Sequence, residues 1–223
     1  MGQELTEPVV SPPRAWGRWA PLVGVGAFVL WVVGIALDPG IPDLFVASGD
    51  EWLTFISGNE GGILASRLLL LIGDFLFILF LGTLRTRLHA AETGSRHWTA
   101  IAFGGGMVTA AMLIGTSTPV LAASGADGLE PSAAQALGVL EYAFFIGAGI
   151  AGASLLAATG VLALRTTVLP MWLGWASLVI ALLMLTIIGP IGFIAIVIGL
   201  PLWVLVVSIL LWRRSDAASF PSH

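Results

Sequence analysis

Apolar positions along this chain come in long, nearly unbroken runs, without the alternation of a strand or the spaced stripe of a soluble helix. About 20 consecutive apolar residues are needed to cross a ~30 Å hydrocarbon core. Six stretches reach that length: 19–37, 63–84, 99–119, 136–164, 170–189 and 191–212. The pattern predicts an all-α polytopic transmembrane helical bundle over residues 16–214, with polar tails at 1–15 and 215–223. The first tail, opening "MGQELTEPVVSPPRAW", has no apolar periodicity and is expected to be disordered. Span one exceeds a signal-peptide core, and "GIALDPG" after it is a poor cleavage site, so it reads as a retained helix.

The polar connections sort by charge. Arg14 and Arg18 precede span one; Arg85, Arg87 and Arg96 follow span two; Arg165 follows span four; Arg213 and Arg214 close span six. The other three connections, including the "IGPIG" turn near Pro190, contain no basic residue and hold Asp38, Asp43, Asp50, Glu51, Glu60, Asp127 and Glu130. With six spans, the positive-inside rule therefore predicts both termini in the cytoplasm. Trp19, Trp98, Trp172 and Trp212, with Trp16 and Trp175, fall near the predicted cytoplasmic ends, where an indole can anchor at the interface. In the first outer connection, Ser48 with Glu51 three residues on forms a capping box. The segment 48–57 behind it is expected to lie as an amphipathic helix on the outer interface, in preference to folding over the bundle as a lid. Ser132 with Gln135 predicts a second capping box at the start of span four.

Composition agrees with this picture and removes several chemistries. The 223 residues are 57% hydrophobic and 10% charged, and mean hydropathy is +0.99. Soluble domains are about one quarter charged. Without cysteine there is no disulfide, thiolate nucleophile, zinc–thiolate site or iron–sulfur cluster. All nine basic residues are arginine, so no lysine Schiff base forms. His89, His97 and His223 lie outside the spans, which excludes a bis-histidine haem within them. No metal-protease, phosphatase or phosphate-loop motif occurs. Neither cofactor, metal nor nucleic acid is expected, and no enzymatic activity.

Helices in lipid associate through small residues and a few polar contacts. The pairs Gly106–Ala110, Gly147–Ala151 and Ala148–Gly152 predict close packing of spans three and four, and Pro201 a kink in span six. The costly residues are Arg67 and Asp74 in span two and Glu141 in span four. Each charge at mid-membrane costs roughly 2.5–3.5 kcal/mol. Arg67 and Asp74, seven residues apart, share a helix face about 10 Å from each other. Arg67 and Glu141 lie at similar depths, which predicts an Arg67–Glu141 ion pair between helices, with Asp74 deeper and lacking a cation.

"LGTLRTRLHAAE" (81–92) and "LPMWLGWASLVIALL" (169–183) resemble a group of uncharacterised multi-helix membrane proteins of actinobacteria, assigned to domain-of-unknown-function families. The resemblance extends over most of residues 16–214 and implies an inner-membrane protein without an assigned activity. It carries no catalytic residues. The sequence points first to an accessory or structural membrane protein that binds the bilayer and a membrane-protein partner or a second copy of itself. The alternative is a small transporter or proton-coupled permease built on Arg67, Asp74 and Glu141.

Overall fold

The computed structural model describes residues 19–43, 46–186 and 190–217, with side chains described to 214. The tail 1–15, Arg14, Trp16, Arg18, most of the tail 215–223 and the turn residues before Pro190 lie outside the described residues. Among the described residues the chain is 85% helical with no strand. A 3₁₀ turn, Ala20–Leu22, leads into α1 (Val23–Leu37). Then follow α2 (Gly49–Gly58), α3 (Glu60–Ala91), α4 (His97–Ser124), α5 (Pro131–Arg165) and α6 (Met171–Met184). The last helix, α7, opens at Pro190–Ile194, widens into a π segment over Ala195–Gly199 and continues as Leu200–Ala217.

Five helices (α1 with its 3₁₀ turn, α3, α4, α5 and α7) are long and apolar enough to cross a membrane. The helix predicted over 170–189 is shorter. α6 stops at Met184, and its 14 residues span about 21 Å. The Thr186 hydroxyl donates back to the Leu183 carbonyl at 2.6 Å, competing for the helix's own acceptor just before a Gly–Pro pair. At Pro201, where the sequence predicts a kink, a π segment lies immediately ahead. A proline within a helix removes one hydrogen bond and crowds the preceding turn, and the wide turn immediately ahead of it takes up the mismatch.

Neighbour contacts run α1–α3–α4–α5–α6–α7 and back from α7 to α1, with α4 against α5 the most extensive. The bundle is inside-out by the standard of a soluble protein. Along α3, Leu64, Leu68, Ile72, Phe75 and Leu79 form one outward stripe and are 45–57% exposed. On the opposite side Ser66, Arg67, Gly73, Asp74 and Phe77 are buried. Water gives no reason to turn leucine outward and arginine inward along three turns of helix; surrounding hydrocarbon does. An aromatic series, Trp31–Phe77–Phe80–Trp203, threads the interior with centroid spacings of 5.2, 6.2 and 6.4 Å.

The two ends of the bundle differ in charge. At one end Arg85 lies over Phe103, Arg165 over Trp98, and Arg214 donates to the carbonyls of Thr167 and Val168. At the other lie Asp38, Asp50, Glu51 and α2. The Ser48 capping box is present: Glu51 N–H donates to Ser48 Oγ, and Ser48 N–H to Glu51 Oε2 at 2.7 Å. Instead of resting its apolar face on the outer interface, α2 folds over the bundle. Trp52 and Ile56 are buried with Ile63, Val120 and Ala134, and the Trp52 ring lies over Gly138 of α5, which has no side chain to obstruct it. The second predicted capping box does not form. Pro131 occupies the first turn of α5, no side chain caps it, and Gln135 donates to the Ala47 carbonyl, tying down the entry to α2.

Candidate functional site

Asp38 follows the last residue of α1 and is itself extended, as the residue before a proline usually is, and Pro39 prevents the helix from continuing. Asp38 Oδ1 accepts the Gly40 N–H at 2.9 Å, closing a turn in which Gly40 takes a left-handed φ of 85°. Its other oxygen, Oδ2, faces α3. It accepts from Ser66 Oγ at 3.3 Å and pairs with Arg67 Nη1 at 3.0 Å. From the opposite side, Glu141 Oε1 of α5 pairs with Arg67 Nη2 at 2.8 Å. One guanidinium thus sits between two carboxyl groups from two different helices. Arg67 Nε and Glu141 Oε2 are buried and have no partner among the described residues.

Of the predicted trio, the structure brings Arg67 and Glu141 together and places Asp74 elsewhere. Two turns further along α3, Asp74 Oδ1 accepts the indole N–H of Trp31 at 2.8 Å. The contact depends on Gly73, where a Cβ would come within 2.7 Å of the Trp31 ring. Asp74 therefore has a neutral donor where a cation was lacking. Sequence reasoning did not single out Asp38 or Trp31. Asp38 was legible as a carboxylate at the last turn of span one, level with Arg67 near the start of span two. Trp31 had no comparable signal.

Two cavities adjoin these residues. The larger, about 400 Å³, is lined by Asp38, Glu141, Trp52, Tyr142, Phe145 and Phe193, among others. The smaller, about 110 Å³, lies deeper and is lined by Trp31, Asp74, Leu113, Ser117 and Leu200, among others. Ile35, Thr116, Phe145 and Val197 line both, so the cavity beside the triad carboxylates and the cavity beside Asp74 are immediate neighbours. Ile35 and Val197 also line an outward groove between α1 and α7. In the larger cavity's lining, Trp52 Nε1 is buried without a partner among the described residues.

The predicted packing residues distribute over several neighbours. α4 and α5 pack tightly at Gly105, where a Cβ would lie 2.2 Å from Ser154 Oγ and 3.0 Å from the Ala151 carbonyl oxygen. Gly106, assigned to that contact from sequence, instead receives Leu81 of α3. Gly147 receives Met112 of α4, and Gly152 receives Met184 of α6. Ala110 and Ala148 are fully buried and Ala151 nearly so. Among the tryptophans, Trp19 and Trp172 are more than half exposed, while Trp98 and Trp212 are partly covered. All four stand at the arginine-rich end.

That end holds a second polar device. Glu92 follows α3, and its carboxylate accepts the N–H groups of Trp98 at 3.1 Å and Thr99 at 2.8 Å, the first turn of α4. Burial opposes its ionisation, but these donors and nearby His97 outweigh burial and hold the carboxyl below its ordinary range. A carboxyl depressed in the folded state contributes stability that is complete above the ordinary value of 4.5 and is lost as pH falls through the depressed one. Glu92→Gln is expected to cost about 0.5–2 kcal/mol at neutral pH. Thermal unfolding in detergent from pH 7 downward checks this, and the variant and native curves should converge in acid. Curves that stay parallel would separate Glu92 from the pH dependence.

Among the described residues no group of three or more histidine or acidic side chains is placed to hold a metal ion. Comparison of the chain with family models, with curated proteins and with solved structures gives no match in any of the three.

Proposed function

We propose that this chain is a six-span protein of a bacterial plasma membrane, with both termini cytoplasmic, and that it takes a small molecule into its interior cavity as a compact transporter or permease. The observation that carries this reading is a pair of adjacent cavities with four wall residues in common, one lined by Asp38 and Glu141 and the deeper one by Asp74. A residue pair serving only to fasten helices needs no cavity beside it. Intramembrane acids that line one are the usual components of a substrate or proton path. The six-span parity is supported by Arg214, which ties the end of α7 to the connection that begins α6. Departure and return of α6 and α7 then make one hairpin across the membrane, with α6 the shorter arm.

A second reading, an accessory protein that binds a partner or lipid, is favoured by the closure of Arg67 between Asp38 and Glu141, which is what a purely structural clasp requires.

The absence of cysteine makes a decisive experiment simple, since each single-cysteine variant reports one position. Thr116→Cys, on the wall shared by both cavities, is expected to react with 2-aminoethyl methanethiosulfonate, whereas Val108→Cys on the outward surface is not. In intact cells, Thr54→Cys on α2 should react with an impermeant maleimide, and Ser95→Cys only after permeabilisation. An inert Thr116→Cys in folded protein would return the interior to the clasp reading. Labelling of Ser95→Cys from outside would reverse the orientation.

A further inference from the structure

The larger cavity has a wall chemistry of its own. Tyr142 and Phe145 of α5 stack at 6.4 Å and 14°, and Phe193 of α7 continues the row, 5.3 Å from Phe145. Trp52 adds a fourth ring from α2. Asp38 and Glu141 are on the same lining, and they share one guanidinium between two carboxyl groups. Aromatic faces are electron-rich, and several of them around one space attract a cation that has left its water behind. An acid pair with a single basic partner adds negative potential in the same place. Glu141 Oε2, buried and unpartnered, is an acceptor that the protein itself leaves unused. Much of the remaining wall is apolar, and Ile35 and Val197 line both the cavity and the outward groove between α1 and α7. A ligand passing that way would come from the hydrocarbon and must be mostly apolar.

We propose that the cavity binds a lipophilic organic cation, with its positive centre among Trp52, Tyr142, Phe145 and Phe193 and held by the excess carboxyl group of the Asp38–Arg67–Glu141 cluster. Anions of the same shape meet the aromatic faces and the acids and are rejected; inorganic cations gain nothing from the apolar walls. This assignment rests on the reading of the interior as a binding cavity and names what it binds.

Tetraphenylphosphonium and tetraphenylborate have nearly the same shape and opposite charge, so they isolate the sign of the charge. Saturable binding of radiolabelled tetraphenylphosphonium to the full-length protein in detergent is expected, displaced by phenyltrimethylammonium and not by tetraphenylborate. Phe193→Leu, which touches no ion pair, should weaken it about three- to tenfold by removing one ring. Glu141→Gln should weaken it further. Equal binding of the two ions, or affinity unchanged in Phe193→Leu that elutes as a single folded species, overturns the proposal. So does an absence of saturable binding by the native chain. Should Glu141→Gln not fold, Phe193→Leu decides alone. Thr116→Cys separates the two levels: labelling there without cation binding removes only the ligand class, whereas an unreactive Thr116→Cys removes the cavity reading beneath it.

Discussion

Arg67→Ala is expected to destabilise the folded protein by about 3–5 kcal/mol, the usual cost of stripping one partner from a buried ion pair. The reason lies less in the lost attraction than in what remains. Glu141, 9% exposed, would keep a carboxyl group in an apolar surround with no cation, and Asp38 would keep only the Gly40 N–H and the Ser66 hydroxyl. Removing the stranded group should therefore help. Arg67→Ala/Glu141→Ala should recover part of the loss, since an apolar pair can replace a buried ionic one at little cost. Asp38→Asn should be milder than Arg67→Ala, because the Asp38 side chain is 19% exposed and has neutral donors. Thermal unfolding of the four proteins in one detergent gives the comparison. An Arg67→Ala variant that melts with the native protein would show that the triad does not hold the bundle together.

The second large effect is steric. Gly105→Val is expected to cost more than the ~1–3 kcal/mol typical of overpacking, because two of the atoms it would strike are backbone: the Leu155 nitrogen at 2.9 Å and the Ala151 carbonyl oxygen at 3.0 Å, measured to the first added carbon. A side chain can rotate away; an α-helix can yield only by moving as a whole. α4 and α5 would have to separate along their length, loosening the most extensive contact in the fold. Gly104, one residue earlier, has nothing within 4 Å of the same added carbon. Gly104→Ala should be neutral or stabilising by up to about 1 kcal/mol, since alanine is the better helix former. The pair is measured by detergent unfolding midpoints. Equal behaviour of the two positions would show that α4 is rotated from the orientation described here.

That contrast also shows where reading along the chain stops. Both glycines belong to the same "GGG" of span three, and the small-residue spacing identified α4 and α5 as close neighbours. It assigned Gly106 to the contact, yet Gly106 faces Leu81 of α3 and Gly105 faces α5. One residue turns a helix by about 100°, so spacing identifies which positions share a face without saying which neighbour that face meets. Likewise the depth of Arg67 and Glu141 suggested their pairing, while Asp38 was counted only among the acids of the first outer connection. It stands at the end of α1, and from that end its side chain reaches Arg67. α2 was recognised from its cap and period, but its apolar face had two surfaces to choose from, lipid and bundle, and only the shape of the bundle top could decide.

The sequence by itself determined that the chain is helical, where the apolar runs begin, that the arginines gather at one end, and that a few charges had to be turned inward. These are consequences of solvent: residues unwelcome in hydrocarbon, and backbone groups that need partners there, leave few arrangements open. The tertiary structure alone decided that Arg67 is shared by Asp38 and Glu141, that Trp31 donates to Asp74 across 43 residues, and that a cavity remains between α1, α5 and α7. Those depend on the rotation and spacing of helices far apart in the chain. No local pattern encodes them, because the partners that set them meet only after the bundle has packed.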